Sequence, residues 1–285
     1  MSAHESTAHL TDVRFPGVGD HRANAEAASH NYRGQHSVEV HDLYKAFGSF
    51  EVLRGLNLNF MDDAVTTILG PSGTGKSVLL KHVVGLLEPD AGEVGVFGRD
   101  IWSMSERERS EMRKRFGVLF QDGALFGSMN IYDNVAFPLR KNTDMSEDEI
   151  REIVTRRLND VGLGAADTKA PNEISGGMKK RAGFARALVM EPEIVLFDEP
   201  DSGLDPVRTR LLCELILQMH EQHKGTYVVV THDIETARKI SDYIGLLWKG
   251  ELVHFGPAAE AFESDEPFVR QFLSSGESAG PLGMD

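Results

Sequence analysis

Length, composition and charge narrow the classes of protein to which this chain can belong. Its 285 residues allow one large domain, or one domain with an inserted subdomain, and an apolar fraction of 41% is enough for a sizeable core. The net charge of −14 argues against a non-specific nucleic-acid binder, which needs a basic face, so we expect no nucleic-acid partner. The only cysteine, Cys213, leaves no internal disulfide, which suits a reducing compartment.

The chain shows no pattern typical of a membrane span or a secretory leader. No run approaches the about 18 apolar residues of a transmembrane helix, and the acidic N-terminus lacks a basic region followed by an apolar stretch. We therefore expect a soluble chain, or one that is peripheral to a membrane through a partner. Residues 1–36 are polar and aperiodic, which predicts a disordered tail before an ordered domain over residues 37–273 and a second tail over residues 274–285.

The ordered part is expected to begin with two β segments and a phosphate-binding loop. Alternating apolar residues predict strands from Val38 and over residues 52–60. A buried strand over Val65–Leu69 leads into the spacing G-x-x-x-x-G-K-[ST], and a helix over residues 76–87 follows. The loop and the first residues of its helix are Gly70, Pro71, Ser72, Gly73, Thr74, Gly75, Lys76, Ser77 and Val78.

Each residue type in this loop has a physical reason to be there. The glycines let successive backbone N–H groups turn inward around an anion, and the following helix aims its positive end at the same anion. Lys76 can reach the β- and γ-phosphates of a nucleotide, and the Ser77 hydroxyl can hold Mg²⁺. We therefore predict that these residues bind the phosphates of a nucleotide.

The middle of the chain predicts a surface helix, a strand and then a helical insertion. Residues 105–115 are highly charged and predict the surface helix, and residues 116–120 predict a buried strand that ends at Gln121. The pattern is helical from there onward. We predict an inserted helical subdomain over about residues 122–187, within which one helix begins at Ser146.

Strands and helices alternate again in the last third of the chain. Residues 193–198 and 227–231 predict buried strands, and residues 204–222 predict a long helix between them. Tyr243–Trp248 and residues 251–255 predict a hairpin. Because strands that alternate with helices form parallel sheets, we expect a parallel sheet at the core.

Two acids end the strand predicted over residues 193–198. Asp198 is placed to help hold Mg²⁺ beside Ser77, and Glu199 would face an attacking water as its general base. The alternative is a strand end with ordinary solvated carboxylates. The P-loop upstream favours the catalytic interpretation.

Several segments together resemble a known family, the ABC ATPases. The segment Ile174-Ser175-Gly176-Gly177-Met178 is similar to the family signature, usually written L-S-G-G-Q, with Met178 in place of the glutamine. Phe47 takes the place of the aromatic that stacks on adenine, Gln121 that of the Q-loop glutamine, Asp205 that of the D-loop aspartate and His232 that of the H-loop histidine. The resemblance implies an α/β fold of the P-loop NTPase type, with a RecA-like core, an antiparallel β subdomain and an inserted helical subdomain.

The same resemblance implies ATP hydrolysis with Mg²⁺ and a role for each matched residue. Glu199, His232 and Gln121 would be catalytic, and Ser77, Gln121 and Asp198 would hold the metal. Phe47, Ser175, Gly176, Gly177 and Asp205 would bind the nucleotide together with the P-loop. In the family, each P-loop faces the signature of a second copy. One chain here carries one of each, so it should work as a homodimer.

A longer stretch narrows the resemblance. Residues 116–140, together with residues 174–181 and 198–209, are similar to the ATPases of Mce-type lipid transporters. Those ATPases pair with an integral-membrane permease and with Mce-domain lipid-binding proteins, and they move lipids or sterols between envelope membranes. The resemblance implies the same partners, and a place on the cytoplasmic face of the inner membrane that is held through the permease.

Two other functions remain open at this point. The first is the ATPase of another importer, for amino acids or metal ions, from which only the Mce-like stretch separates the chain. The second is a non-transport ABC protein of translation or DNA repair. It is less favoured, because the chain shows neither a second nucleotide domain nor the sustained heptads of a long coiled coil.

Overall fold

The structure is a computed structural model, and it describes residues 36–121 and 123–274. The tails predicted over residues 1–36 and 274–285 lie outside these ranges except for one residue each. His36 is the first residue of a strand, where it pairs with Met61, and Ser274 is the last residue of a helix. His36 and Ser274 therefore belong to elements of the described domain.

The described residues form ten strands and nine α-helices. The strands are β1 His36–Phe47, β2 Phe50–Met61, β3 Val65–Leu69, β4 Ala91–Val96, β5 Arg99–Asp100, β6 Phe116–Leu119, β7 Ile194–Asp198, β8 Thr226–Thr231, β9 Tyr243–Trp248 and β10 Glu251–Pro257. The helices are α1 Lys76–Val83, α2 Glu106–Arg113, α3 Ile131–Asn142, α4 Glu147–Asp160, α5 Gly176–Leu188, α6 Pro206–His223, α7 Ile234–Ile240, α8 Ala258–Phe262 and α9 Pro267–Ser274.

A six-stranded sheet forms the core, in the order β10-β9-β3-β8-β7-β6. Its strands pair in parallel except for β10, which forms the predicted hairpin with β9. The expectation of a parallel sheet is thus confirmed. Because β8 lies between β3 and β7, the carboxyl ends of these three strands meet at one edge, where open α/β sheets bind their ligands.

A second sheet of four antiparallel strands, in the order β2-β1-β4-β5, forms the predicted β subdomain. The inward residues of β1 and β2, such as Val38, Val40 and Leu58, are fully or almost fully buried. They share one core with Leu79 of α1 and Ile68 of β3. The subdomain therefore packs directly against the strand and helix that flank the P-loop.

The predicted helical insertion is made by α3, α4 and α5, between β6 and β7. On α4, Ile150, Val154 and Leu158 are buried along one face. Helix α5 packs back onto the sheet, where the ring centroid of Phe184 lies 5.2 Å from that of Phe197 in β7. The insertion therefore rests on the core sheet through α5.

Helix α1 ends earlier than the predicted residue 87. It stops at Val83 because Gly85 takes a left-handed conformation, with φ of 68°, and its N–H donates to the carbonyl of His82 at 2.9 Å. The N–H of Leu86 donates to the carbonyl of Lys81 at 2.9 Å. These bonds close the helix as glycine C-caps do.

Two other helices begin later than predicted because a polar residue caps them. The Ser105 hydroxyl accepts from the backbone N–H of Glu108, so α2 begins one residue after it. The Asp205 carboxylate accepts from the N–H of Arg208 at 3.0 Å, so α6 begins at Pro206 rather than at residue 204. Both caps satisfy N–H groups that a helix start leaves unpaired.

Within the described residues, none of the helices combines the length and apolar character that a bilayer crossing demands. Cys213 lies on the inner side of α6 with 2% of its surface exposed. Burial raises the pKa of its thiol.

Candidate active site

The P-loop joins the end of β3 to the start of α1, and two of its glycines have positive φ angles. Gly73 and Gly75 have φ of 82° and 101°, a region that side chains other than glycine rarely enter. A Cβ atom on Gly75 would lie 2.8 Å from a methyl carbon of Leu53. The loop thus approaches β2 more closely than any other residue type permits at this position.

Lys76 lies at the centre of this loop and is 3% exposed. Its ammonium donates to the carbonyls of Gly70 and Pro71 at 2.7 and 2.9 Å. It also lies 3.4 Å from Oε1 of Glu199. Burial lowers the pKa of Lys76, and the Glu199 carboxylate partly opposes that shift. The partners of the Lys76 ammonium are therefore two carbonyls and a carboxylate, and a bound phosphate can take their place.

Ser77 and Asp198 form the candidate metal site. The Ser77 hydroxyl, on the first turn of α1, donates to Oδ1 of Asp198 at the end of β7 over 2.7 Å. Burial raises the pKa of Asp198, and the bond from Ser77 opposes this. A hydroxyl and a carboxylate at one point are the oxygen donors that Mg²⁺ prefers, so the pair fits this ion.

Glu199 lies between the P-loop and the loop that follows β8. Its backbone is left-handed, with φ of 45°, and its N–H donates to the carbonyl of Val230 at 2.9 Å. One carboxylate oxygen, Oε1, is 3.4 Å from the Lys76 ammonium and 3.6 Å from Nδ1 of His232. Nδ1 of His232 is buried and has no hydrogen-bond partner among the described residues. A carboxylate beside an imidazole in this position can accept a proton from a water molecule.

The predicted signature residues lie at the N-terminus of α5. The Ser175 side chain caps the helix by accepting from the N–H of Met178 at 3.3 Å. Ser175 and Gly176 are exposed, and a Cβ atom on Gly176 would meet nothing within 4 Å. This helix start therefore presents open N–H groups to the surface, as anion sites do.

Phe47, the predicted adenine-stacking residue, lies at the tip of the β1–β2 hairpin and is 51% exposed. The Lys45 ammonium lies 5.8 Å from the centroid of its ring and forms an ion pair with Asp90 at 2.8 Å. Asp90 also accepts from the N–H of Ala46 at 2.7 Å. The hairpin tip is thus held in place while a large aromatic face stays open.

The structure brings together only part of the predicted site. Lys76, Ser77, Asp198, Glu199 and His232 form one connected cluster. Among the described residues, no hydrogen bond or ion pair joins Phe47, Gln121, Ser175, Gly176, Gly177 or Asp205 to it. Ser175, Gly176, Gly177 and Asp205 lie on segments apart from the cluster, as expected if a second copy completes the site. Phe47 and Gln121 are exposed and also lie apart from the cluster.

Sequence reasoning missed two basic residues of α5 that hold the neighbouring loops. Lys180, which is 6% exposed, donates to the carbonyls of Pro200, at 2.8 Å, and of Ser202. Arg186 donates to the carbonyls of Gly123 and Ala124, just after Gln121, at 3.0 and 2.9 Å. The signal available in the sequence was the presence of two basic residues on a helix that packs against the core sheet.

Comparisons with known proteins cover the same residues. A family model described as "ABC transporter" matches residues 53–202, which include the P-loop, the signature and both acids. The Mycobacterium tuberculosis protein named "Probable ribonucleotide transport ATP-binding protein mkl" is 54% identical over 248 residues, which cover 87% of this chain and 69% of the relative. The MlaF protein of Haemophilus influenzae, named as the ATP-binding protein of an intermembrane phospholipid transport system, is 41% identical over 87% of this chain and 94% of its own.

A solved structure shares the fold. It is a dimeric ATP-binding cassette in a post-hydrolysis state, bound to ADP and Pi. Its identity to this chain is 30% with a TM-score of 0.72, over 78% of this chain and 98% of the other.

Proposed function

This chain belongs to the ABC transporter family, and from that membership we infer that it is the ATP-hydrolysing subunit of a transporter that moves lipids within the cell envelope. The observation that carries the catalytic part is the place of Glu199. Its carboxylate lies 3.4 Å from the P-loop ammonium and 3.6 Å from the His232 imidazole. A general base needs this position, next to the phosphate site and beside a group that orients it.

In the proposed mechanism, the P-loop N–H groups and Lys76 bind the β- and γ-phosphates. Ser77, Asp198 and Gln121 hold Mg²⁺, which when bound neutralises phosphate charge. Glu199 accepts the proton of the attacking water, and His232 orients Glu199 and contacts the γ-phosphate. Phe47 stacks on the adenine through its open face.

The second half of each site comes from another copy in this proposal. The exposed helix start at Ser175 and Gly176, with Gly177 and Asp205 beside it, contacts the γ-phosphate held by the P-loop of the partner. The likeness to a dimeric cassette bound to ADP and Pi supports this arrangement. Two identical sites would then form across the interface of a homodimer.

The names of the relatives point to different cargoes. The MlaF name states phospholipid transport, whereas the mkl name states ribonucleotide transport. We propose a lipid cargo because the stretch over residues 116–140 resembles the ATPases of Mce-type systems. The partners would then be a membrane permease and Mce-domain proteins, with the chain on the cytoplasmic face of the inner membrane.

An exposed aromatic pair supports a docking role for that stretch. Phe126 and Phe137 are 42% and 36% exposed, and their ring centroids lie 5.0 Å apart. The Arg186 guanidinium lies 5.6 Å from the centroid of the Phe126 ring. The pair therefore adjoins the loop after Gln121, where a permease would contact both the helical insertion and the site.

The function is tested by purifying the complex of this chain from native membranes and identifying its proteins and bound lipids. The complex is then reconstituted in vesicles and supplied in turn with a fluorescent phospholipid, a labelled ribonucleotide, a labelled amino acid or a metal ion. We expect phospholipid movement that needs ATP and is lost in Lys76→Ala. Movement of the ribonucleotide alone, or of an amino acid or metal ion alone, would overturn the lipid assignment.

A further inference from the structure

We propose that Asp201 is a positioning residue that sets the place of His232 through the hydroxyl of Thr231. This inference rests on the role proposed above for His232 in ATP hydrolysis. Asp201 follows the catalytic strand β7 by three residues and has no part in the mechanism described so far. It contacts neither the P-loop nor the candidate metal site in the bonds found among the described residues.

The geometry links Asp201 to both neighbours of His232. Oδ2 of Asp201 accepts from Oγ1 of Thr231 at 2.6 Å. The same hydroxyl oxygen accepts from the backbone N–H of Asp233 at 3.0 Å. Because Thr231 and Asp233 precede and follow His232 directly, these two bonds fix the backbone on either side of the imidazole.

Burial makes this link rigid. Asp201 is 5% exposed and Thr231 is 0% exposed. A buried hydrogen bond of this kind exchanges poorly with water, and losing it leaves a buried polar group without a partner. Burial also raises the pKa of Asp201, with the bond from Thr231 opposing the shift. Burial of this carboxylate therefore costs free energy. A role in positioning a catalytic side chain explains why it is nevertheless buried.

The loop that carries Asp201 is itself held from the signature helix. The Lys180 ammonium donates to the carbonyls of Pro200 and Ser202, which lie on either side of Asp201. The N–H of Ser202 donates to the carbonyl of Glu199 at 3.2 Å. Asp201 is thus fixed relative to α5 and to Glu199, and through Thr231 it fixes His232 against the same Glu199.

A double-mutant cycle in the reconstituted complex tests the proposal. The turnover rate and the KM for ATP are measured for the wild type, Asp201→Ala, His232→Ala and the double variant. We expect Asp201→Ala to lower the turnover rate by about 10- to 100-fold, the scale of a small misplacement of a catalytic group. KM should change little, because Asp201 forms no hydrogen bond or ion pair with a P-loop residue, and its charge is the last-ranked of the causes that act on the pKa of Lys76. In the His232→Ala background, Asp201→Ala should lower turnover little further.

A second set of variants removes the hydroxyl and leaves the carboxylate in place. Thr231→Val keeps the side-chain shape and should lower turnover as Asp201→Ala does, whereas Thr231→Ser should retain most of it. The matched control is Thr226→Val at the other end of β8. Thr226 is 1% exposed and its hydroxyl also donates within the core, to Ser37 at 3.2 Å. This control should lose a similar amount of thermal stability and keep wild-type turnover.

Each outcome decides the matter. A coupling to His232, together with the contrast between Thr231→Val and Thr226→Val, supports the proposal. If Asp201→Ala and His232→Ala reduce turnover independently, the inference is wrong while the role of His232 stands. If His232→Ala turns over ATP at the wild-type rate, the proposed role of His232 is wrong and the inference falls with it.

Discussion

At the scale of single residues, the backbone of Glu199 is strained in a way that places its side chain. A left-handed φ of 45° on a residue with a Cβ costs about 1–2 kcal/mol. The turn brings the carboxylate to Lys76 and His232, at 3.4 and 3.6 Å. Such strain is typical of active sites, because the surrounding structure must impose it.

We predict that Glu199→Gln keeps ATP binding and lowers hydrolysis by about 10²–10⁴-fold, since the amide cannot accept the proton of the attacking water. Hydrolysis and nucleotide binding are measured separately on the same preparation. The control is Glu193→Gln, just before the start of β7, which removes an exposed ion pair with Arg115 at 2.6 Å. It should leave hydrolysis unchanged. A Glu199→Gln rate close to that of the wild type would reject the assignment.

At residue scale, the local structure was predictable from the sequence where it depends on consecutive positions. Residues Gly70 to Ser77 join β3 to the start of α1, as their spacing predicts, and their binding of phosphate stays a prediction. The bond between Asp201 and Thr231 was not predictable in this way. It joins residues that are 30 positions apart, and it depends on β7 and β8 being neighbours in the sheet.

At the scale of elements, α5 and the loop after β6 pack so closely that only glycine fits between them. A Cβ atom on Gly183 would lie 2.9 Å from both Cα and the carbonyl oxygen of Gly123, and 2.8 Å from a methyl carbon of Leu119. A Cβ atom on Gly123 would lie 2.8 Å from the carbonyl oxygen of Lys179. The signature helix and the loop therefore touch backbone to backbone.

We predict that Gly183→Ala destabilises the chain. Overpacking against backbone costs about 1–3 kcal/mol, whereas alanine gains about 1 kcal/mol over glycine inside a helix. The outcome is measured by thermal unfolding, in which each kcal/mol of lost stability lowers the melting temperature by about 2–4 °C for a chain of this size. Gly127→Ala is the control, because a Cβ atom there meets nothing within 4 Å. A Gly183→Ala midpoint equal to that of the wild type would contradict the packing argument.

Helix α4 is attached to the core through a buried arginine and a histidine. Arg157 is 1% exposed, and its Nη1 donates to Nε2 of His223, on α6, over 2.6 Å. Partial burial and then the charge of Arg157 lower the pKa of His223 below its ordinary 6.5. The bond requires a neutral imidazole, because a protonated one has no free acceptor.

We predict that this contact weakens in mild acid. The unfolded chain binds a proton at His223 as the pH falls through 6.5, while the folded chain resists it until the pH is lower. The stability that His223 contributes is therefore fully present above the unfolded-state pKa of 6.5, and it is lost as the pH falls from there through the lower pKa of the folded chain. Thermal midpoints at about pH 7.5 and about pH 5.5 are compared for wild type and His223→Gln.

The comparison with His223→Gln isolates this group. His82 and His254, whose pKa values burial also lowers, are present in both chains and cancel. The glutamine amide can accept the same bond without a charge change, so the wild type should lose more stability on acidification than the variant. An equal loss in the two chains would show that His223 is not responsible.

At the scale of the whole molecule, the candidate catalytic cluster and the signature lie on different parts of the fold. The cluster sits at the carboxyl edge of the core sheet, and the signature begins α5 of the insertion. The alternation of strands and helices predicted the parallel sheet. It did not predict that β3 lies between β8 and β9, since strand order depends on contacts far apart in the chain.

We predict that two inactive variants complement each other in part when they are mixed. Lys76→Ala removes the charge that neutralises the phosphates, and Ser175→Arg places a bulky cation on the signature. In a mixed dimer with sites that span two chains, one site is intact and the other carries both lesions. Differently tagged chains are co-expressed with the permease, the mixed dimer is purified, and ATP hydrolysis is measured.

The alternative arrangement gives a different result. If each chain used its own signature, every site in the mixture would hold one lesion and activity would stay at the level of the single variants. A mixed dimer of the wild type with a Lys76→Ala, Ser175→Arg double variant is the control. It shows whether one intact chain can work beside a fully defective one.

Because Cys213 is buried, the unmodified chain should react very slowly with thiol reagents. At 2% exposure, and with burial raising the pKa of its thiol, it offers little reactive thiolate. Cysteines introduced by Ser72→Cys and Ser175→Cys, at two exposed positions, would be the fast-reacting thiols of the chain. Dyes placed there could report the approach of two copies in real time, without first removing the native sulfur.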